Sequence, residues 1–245
     1  MRNIKLVIQY DGSKYRGWQR LGDSDKTIQG KLENVLSQMT NEKIEIIGSG
    51  RTDAGVHAYK QVANFHTQSD MSEEAILEYL YNYLPEDIVV VDVEEVDGKF
   101  HSRYHAKGKK YLYRIWNSRF HNPFLRKYCT HVAEPLDINL MRNAAKYLVG
   151  KHDFTSFTSL KSKKKSMVRE LFSIEIQKEN EIIDILFHGD GFLYNMVRIM
   201  AGTLIEVGAG RMNADSIPEI LEKRDRSLSG PKAPYTGLIL YDVEY

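Results

Sequence analysis

The residues best suited to chemistry in this 245-residue chain are concentrated in one short loop. Residues 48–57 hold three glycines within eight positions, together with Arg51, Asp53 and His57. Glycines at this density indicate a backbone that bends tightly or approaches a ligand closely. The spacing does not fit a dinucleotide-binding GxGxxG pattern, because Asp53 stands where the third glycine is needed, and no GK[ST] follows for a P-loop.

Asp53 is the candidate nucleophile or base of this loop. An aspartate that is paired with an arginine stays ionised at neutral pH, which is the state that either role needs. Arg51 is only two residues away, so the same pair could instead do no more than brace a tight turn. Both interpretations predict the same protonation state and remain alternatives at this point.

Other catalytic classes find little support in the sequence. His57 follows Asp53 by four residues, but no GxSxG elbow supplies a serine nucleophile, and we interpret His57 as structural. No HExxH motif or cluster of His, Cys and Asp provides metal ligands. The single cysteine, Cys129, excludes an internal disulfide and a cysteine-built zinc site.

Arg198 is a cation within an otherwise apolar helical segment. Such a charge is costly to bury unless it reaches water or meets an anion. Arg198 could extend to solvent or cap a carbonyl. It could also pair with a carboxylate in a cleft, for which Asp53 is an attractive partner. The spacing alone does not decide between a structural Arg198 and one that is paired with a carboxylate.

The formal net charge of +1 hides a strong asymmetry. Residues 61–98 contain ten Asp or Glu and no Lys or Arg, whereas residues 99–133 contain nine Lys or Arg and no acid. A second basic stretch comprises Lys161, Lys163, Lys164, Lys165 and Arg169. Clustered cations suit the phosphates of a polyanion, and the aromatic residues among those of 99–133 suit stacking on bases, although a solvated face is the alternative. These aromatic residues include Phe100, Tyr104, Tyr111, Tyr113, Trp116, Phe120 and Phe124.

Both strands and helices must position these residues. Hydrophobic patterning predicts strands over 4–10, 43–47, 60–66, 88–96, 109–116, 171–178, 181–188 and 236–244. It predicts helices capped by Thr27, Ser72 and Asp137, and two more over 191–207 and 214–223. Because these elements mix without strict alternation, we expect an α+β fold whose two mixed α/β halves share a continuous sheet.

Several segments, taken in order, resemble the tRNA pseudouridine synthase A family. They are Tyr10-Asp11-Gly12, Gly17-Trp18-Gln19, Thr27-Ile28-Gln29, GRTDAGVHA at 50–58, FHSRY at 100–104, KYLY at 110–113, FLYNMVR at 192–198 and GLILYDVEY at 237–245. The resemblance runs through essentially the whole chain, and the loop at 50–58 is its most specific motif. Ser102 stands where alanine is expected, a departure that we do not expect to affect the chemistry.

The resemblance implies an isomerase that converts uridine to pseudouridine in tRNA with neither a metal nor an organic cofactor. Asp53 would be the nucleophile, and Tyr111 would stack on the target uracil and assist deprotonation at C5. Arg198 would pair with the Asp53 carboxylate. Arg51 would help displace the target base from its stack, and Leu238 would line the pocket.

The same resemblance implies how the chain meets RNA. The sheet would be largely antiparallel, with flanking helices and a central RNA-binding cleft between an Asp-loop half, 1–104, and a half carrying the pocket Tyr and Arg, 105–245. Candidate RNA contacts are Arg103, Lys161, Lys163, Lys164 and Lys165. The family implies a homodimer whose subunits share one tRNA, with targets in the anticodon stem-loop at tRNA positions 38 to 40. Because no apolar run approaches about 18 residues and no signal peptide is recognisable, we expect a cytoplasmic protein without a membrane partner.

Two other functions compete with this interpretation. A non-catalytic RNA-binding protein would explain the basic stretches but leaves the loop at 50–58 without a purpose. A hydrolase of small phosphorylated metabolites could use Arg51 and Arg198 to grip phosphate but would not need the basic run over 99–127. A steep salt dependence of RNA binding separates the first from the hydrolase, and turnover separates it from the synthase.

Overall fold

The computed structural model describes residues 1–22, 24–160 and 166–245. The chain forms two compact units, the first made of Met1–Lys107 with Ile239–Tyr245 and the second of Gly108–Leu238. Each unit contains both helices and strands, so the predicted α+β class is confirmed.

The elements are numbered along the chain. The strands are β1 (Arg2–Tyr10), β2 (Ile47–Gly48), β3 (His57–Thr67), β4 (Ile88–Val96), β5 (Gly108–Asn117), β6 (Thr130–Val132), β7 (Gly150–Asp153), β8 (Val168–Glu179), β9 (Ile182–Gly189) and β10 (Leu238–Glu244). The α-helices are α1 (Ile28–Thr40), α2 (Glu73–Tyr83), α3 (Ile138–Leu148), α4 (Met196–Gly208) and α5 (Ile217–Lys223).

Side-chain caps set the start of three helices, as the sequence predicts. The hydroxyl of Thr27 accepts a hydrogen bond from Gly30 N, and that of Ser72 accepts one from Ala75 N. Asp137 accepts from the first amides of α3. Each cap satisfies a backbone donor that has no partner within the helix, which explains why these helices begin where they do.

The sheet of the first unit follows the order β4-β1-β3-β10, and the short strand β2 pairs with the C-terminal half of β3. β1 is antiparallel to both neighbours, and β10 is parallel to β3, with Ile239 opposite His57. This pairing places the last strand in the first unit, whereas the sequence-based halves, 1–104 and 105–245, group it with the second. Fully buried apolar residues of this unit include Ile4, Leu6, Ile8, Ile28, Leu32, Leu36, Ile76 and Leu80.

The sheet of the second unit follows the order β5-β9-β8-β7, with antiparallel pairing throughout and a short parallel strand, β6, beside β5. Every residue of α4 is buried except Arg198 and Glu206. A helix that is apolar on almost all sides belongs in a core, so α4 holds the centre of this unit. Arg198 is therefore exceptional, because it is a half-buried cation in this apolar helix.

Two predicted elements have bounds that are wrong. The helix expected from residue 191 begins at Met196, because Asn195 has a left-handed backbone with φ of 60° and cannot continue a helix. The strand expected over 43–47 is reduced to Ile47–Gly48. The short strands β6 and β7 were not predicted, since three or four residues carry too little periodicity. Within the described residues, no helix is both long and apolar enough to cross a membrane.

Candidate active site

The loop that carries Asp53 connects β2 to β3 in the first unit, and Asp53 is half-buried. The residues that lead into this loop are held by β3. Ser49 N donates to Val62 O at 2.7 Å, and the fully buried side chain of Gln61 donates from Nε2 to Gly50 O at 3.0 Å. The Oε1 atom of Gln61 accepts from the hydroxyl of Ser49 at 2.6 Å. The backbone immediately before Arg51 is thereby held by an element outside the loop.

The segment that follows β1 clasps the loop on both sides of Asp53. Trp18 N donates to Thr52 O at 3.0 Å, and the hydroxyls of Tyr10 and Thr52 are 2.8 Å apart. Beyond Asp53, Gly55 N donates to Tyr15 O at 3.2 Å. With both neighbouring stretches hydrogen-bonded, the Asp53 carboxylate is carried on a backbone with little freedom, which suits a group that must be oriented for attack.

Two glycines make this clasp possible. A Cβ at Gly12 would lie 2.0 Å from Val56 O, so no larger residue fits there without moving the backbone. Gly17 has φ of +98°, and a Cβ there would lie 2.7 Å from Thr52 O. Both positions need glycine because the two chain segments pack backbone to backbone.

His57 lies at the start of β3 and is buried. Its Nδ1 atom accepts a hydrogen bond from Gly12 N at 3.2 Å and lies 3.2 Å from Asp11 Oδ1. Asp11 Oδ1 itself accepts from the backbone amide and the hydroxyl of Ser13. These contacts support the structural interpretation of His57, since they join the clasping segment to β3.

Arg51 and Arg103 are both exposed on the first unit. Arg103 follows Ser102, which is fully buried: its amide donates to Asn64 Oδ1 at 2.9 Å and its hydroxyl donates to Ile47 O. The carbonyl of Ser102 accepts from the hydroxyl of Tyr245 at 2.6 Å. The unexpected serine is thus an anchor that ties the segment before Arg103 to the β2–β3 region.

Tyr111 and Tyr113 share one face of β5, but their surroundings differ. Tyr111 is half-buried, and its ring meets that of Phe192 edge to face at 5.2 Å. Tyr113 is fully buried, and its hydroxyl lies 2.6 Å from Thr130 Oγ1 and donates to Pro234 O at 2.9 Å. Burial raises the pKa of Tyr113, so this phenol is a neutral structural donor.

Arg198 lies in the first turn of α4. Its Nε atom donates to Ala233 O at 2.8 Å and its Nη1 atom to Asn195 Oδ1 at 3.3 Å, while Ala233 N donates back to Arg198 O at 3.1 Å. The capping of a carbonyl, one of the two alternatives, is therefore observed, and the pairing of Arg198 with Asp53 stays a prediction. Leu238, the predicted pocket residue, is buried at the start of β10.

The remaining candidates contribute less to the geometry. Lys161, Lys163, Lys164 and Lys165 lie outside the described residues. Burial raises the pKa of the Cys129 thiol to about 11, which leaves almost no thiolate near neutral pH. Among the residues that the structure describes, no group of three or more His, Cys, Asp or Glu is arranged to hold a metal ion.

Comparison with known proteins decides the family. A family model described as tRNA pseudouridine synthase matches residues 6–105 and 144–245. The chain belongs to the tRNA pseudouridine synthase family. It is 53% identical over 245 residues to tRNA pseudouridine synthase A 2 of Bacillus cereus (strain ZK / E33L), with all of both chains covered. The tRNA pseudouridine synthase A proteins of Bacillus sp. (strain KSM-64) and Acetivibrio thermocellus are 54% and 47% identical, again over the full length of both chains.

Membership in the tRNA pseudouridine synthase family makes the chain an isomerase that acts on tRNA. A chain in the crystal structure of a Cbf5-Nop10-Gar1 complex is also similar, with a TM-score of 0.37, 11% identity and coverage of 82% of this chain and 45% of that one. A similarity this low carries no argument. Sequence reasoning missed Gln61, which holds the Asp53 loop, and Asn64 and Tyr245, which hold Ser102. Their partners lie at least 11 positions away along the chain.

Proposed function

We propose that this tRNA pseudouridine synthase modifies uridines of the anticodon stem-loop, at tRNA positions 38 to 40, with Asp53 as its nucleophile. The observation that carries the nucleophile assignment is the double clasp of its loop, in which Trp18 N holds Thr52 O at 3.0 Å and Gly55 N reaches Tyr15 O at 3.2 Å. A loop that is held on both sides keeps its carboxylate oriented toward a bound nucleotide. The loop backbone then does not have to become ordered again in each turnover. The choice of positions 38 to 40 rests on the family resemblance.

In the proposed reaction Asp53 attacks the target nucleotide and the glycosidic bond between N1 and the ribose breaks. The uracil then turns and rejoins the ribose through C5, and the bond between Asp53 and the nucleotide breaks, which restores the carboxylate. The hydrogen of C5 leaves as a proton, with the hydroxyl of Tyr111 assisting, and N1 gains one, so no atom is lost overall. No oxidant or reductant is needed, because the step only exchanges one bond to the ribose for another.

The target uridine must first leave its stack, which costs a few kcal/mol. We assign part of the compensation to Arg51, whose exposed guanidinium can contact phosphate or occupy the space that the base leaves. Arg103 extends the same cationic surface, and Lys161, Lys163, Lys164 and Lys165 add phosphate contacts. Arg198 supplies positive charge to the chemistry, and Leu238 provides an apolar wall. We further propose a homodimer that shares one tRNA in the cytoplasm, as the resemblance implies.

The test of the nucleophile is Asp53→Asn, which preserves size and most hydrogen bonding while removing the charge. We expect release of tritium from 5-tritiated uridine in tRNA to fall by about 10⁶-fold or more, on the usual scale of enzymatic acceleration. tRNA binding should persist, because phosphate contacts supply most of the affinity. Asp92→Asn, at an exposed position of β4, is the matched control and should behave like the wild type.

Substantial tritium release by the Asp53→Asn protein would refute the nucleophile assignment. Loss of binding together with the cooperative melt would show instead that Asp53 only holds its loop together. The site assignment is tested separately with three tRNA anticodon stem-loops, each with its single uridine at position 38, 39 or 40. Pseudouridine in none of the three would overturn the assignment to the anticodon stem-loop.

A further inference from the structure

The loop between β5 and β6, residues 118–129, carries two phenylalanines that are largely exposed. Phe120 is 70% exposed and Phe124 is 88% exposed. The loop lies between the two segments that match the family model, which end at residue 105 and resume at residue 144. The chemistry derived above uses neither ring.

Hydrogen bonds within the loop hold Phe124 in this exposed position. Asn122 Oδ1 accepts from Phe124 N at 3.0 Å and from Leu125 N at 3.3 Å, which closes a turn around Pro123. The Leu125 carbonyl in turn accepts from Tyr128 N at 2.8 Å. A ring held outward by its own turn loses little conformational freedom when a flat partner covers it.

The start of the loop is tied to both flanking strands by side-chain contacts. The indole of Trp116 donates to Phe120 O at 2.8 Å, and His131 Nε2 lies 2.7 Å from Ser118 O. Phe120 is therefore fixed near the end of β5, as Phe124 is fixed by its turn. The loop presents both rings on a defined backbone.

The charged residues of this loop are all basic. The Arg119 guanidinium lies 5.2 Å from the centre of the Phe120 ring, and Arg126 and Lys127 are exposed beside Phe124. No Asp or Glu occurs from residue 99 to residue 133. A second copy of this loop would bring like charges together, whereas RNA offers flat bases joined to phosphates.

We propose that the loop over residues 118–129 is a stacking platform for unpaired bases of the substrate RNA, with Phe120 and Phe124 as the stacking rings and the adjacent cations on the phosphates. The inference rests on the proposed function only in taking tRNA as the RNA. It assigns a role to residues that the proposed chemistry does not use. Such a platform favours RNA that contains a single-stranded loop over RNA that is fully paired.

The test replaces both rings by leucine, as Phe120→Leu with Phe124→Leu, which keeps apolar bulk but removes the aromatic face. We expect binding of an anticodon stem-loop to weaken roughly tenfold or more, since leucine keeps part of the apolar contact but loses the stacking on the base. Binding of a blunt RNA duplex of equal length should not change. The slope of log affinity against log salt should also stay the same, because no charge is removed.

Three controls make the result specific. Phe120→Tyr with Phe124→Tyr keeps both aromatic faces and should retain wild-type affinity. Tyr81→Leu removes a ring that is 73% exposed on α2, within the acidic stretch, and should have no effect on binding. Arg119→Ala with Arg126→Ala should weaken binding to both RNAs and flatten the salt slope.

Unchanged stem-loop binding by the double leucine variant would overturn the proposal, as would an equal loss on the duplex. A change of oligomeric state in sedimentation would assign the rings to a contact between copies and overturn it as well. If Asp53 were not the nucleophile, Asp53→Asn would still turn over tRNA. That result would not alter the comparison of stem-loop and duplex binding by the double leucine variant.

Discussion

The side-chain amide of Gln61 donates a hydrogen bond to the carbonyl oxygen of Gly50 at a distance of 3.0 Å. Gln61 belongs to β3, and Gly50 is the residue before Arg51 in the loop that carries Asp53. The loop of this synthase is thus connected through one buried side chain to the strand on which it folds. Because the contact joins loop to strand, its loss should affect loop geometry before it affects the rest of the unit.

Gln61→Leu should lower turnover and destabilise the first unit by about 1–3 kcal/mol, because Gly50 O and the Ser49 hydroxyl lose a buried partner. Urea unfolding and tritium release measured on the same samples give both effects. Gln177→Leu, at an exposed position of β8, is the matched control and should change neither. Wild-type turnover by Gln61→Leu would show that the loop keeps its geometry without this hydrogen bond.

Gly12→Ala should be among the most damaging small substitutions in this protein. The new Cβ would lie 2.0 Å from Val56 O, a backbone atom that cannot rotate away. We expect a loss of about 1–3 kcal/mol of unfolding free energy and a marked fall in turnover, as is typical of overpacking. Gly98→Ala is the control, since no atom lies within 4 Å of the added methyl group. A Gly12→Ala protein with wild-type stability would contradict the backbone clasp.

Tyr111→Phe and Tyr113→Phe should separate chemistry from stability at two positions of one strand. Tyr113→Phe leaves Pro234 O and Thr130 Oγ1 without their buried partner and should cost about 1–3 kcal/mol of stability. Tyr111→Phe should be the less destabilising change, because Tyr111 is only half-buried. Its turnover should fall by about 10²–10⁴-fold if its hydroxyl assists deprotonation. Equal turnover by wild type and Tyr111→Phe would remove that role.

The buried thiol of Cys129 should make the folded protein less stable at alkaline pH. Burial raises the pKa of its thiol from 9.0 to about 11, so the folded chain keeps a proton that the unfolded chain releases. The stabilising contribution is complete below pH 9 and is lost as the pH rises to about 11, by about 2–3 kcal/mol. Urea unfolding at several pH values should show this decline.

Comparison of the wild type with Cys129→Ala separates the effect of the thiol from that of the other titrating groups, because the chain has no other cysteine. The difference in unfolding free energy between the wild type and Cys129→Ala should shrink between pH 9 and pH 11. A difference that stays constant over this range would show that the thiol titrates alike in the folded and unfolded chains.

Local sequence was sufficient for much of the fold. Thr27, Ser72 and Asp137 mark helix starts because each cap bonds to amides only two or three residues away. The period of the apolar residues predicts most strands, and the motif at 50–58 places the Asp53 loop and indicates the family. These signals need no distant partner, so they can be recognised in the sequence itself.

Tertiary structure alone decided which residues of a given type are buried and what they contact. Tyr113 and Phe124 belong to one basic, aromatic-rich stretch, yet the first is in the core and the second is 88% exposed. Ser102 is an anchor only because Asn64 of β3 and Tyr245, the residue after β10, reach it. Burial and hydrogen bonding of this kind depend on strand pairing between residues far apart along the chain, which composition and periodicity do not encode.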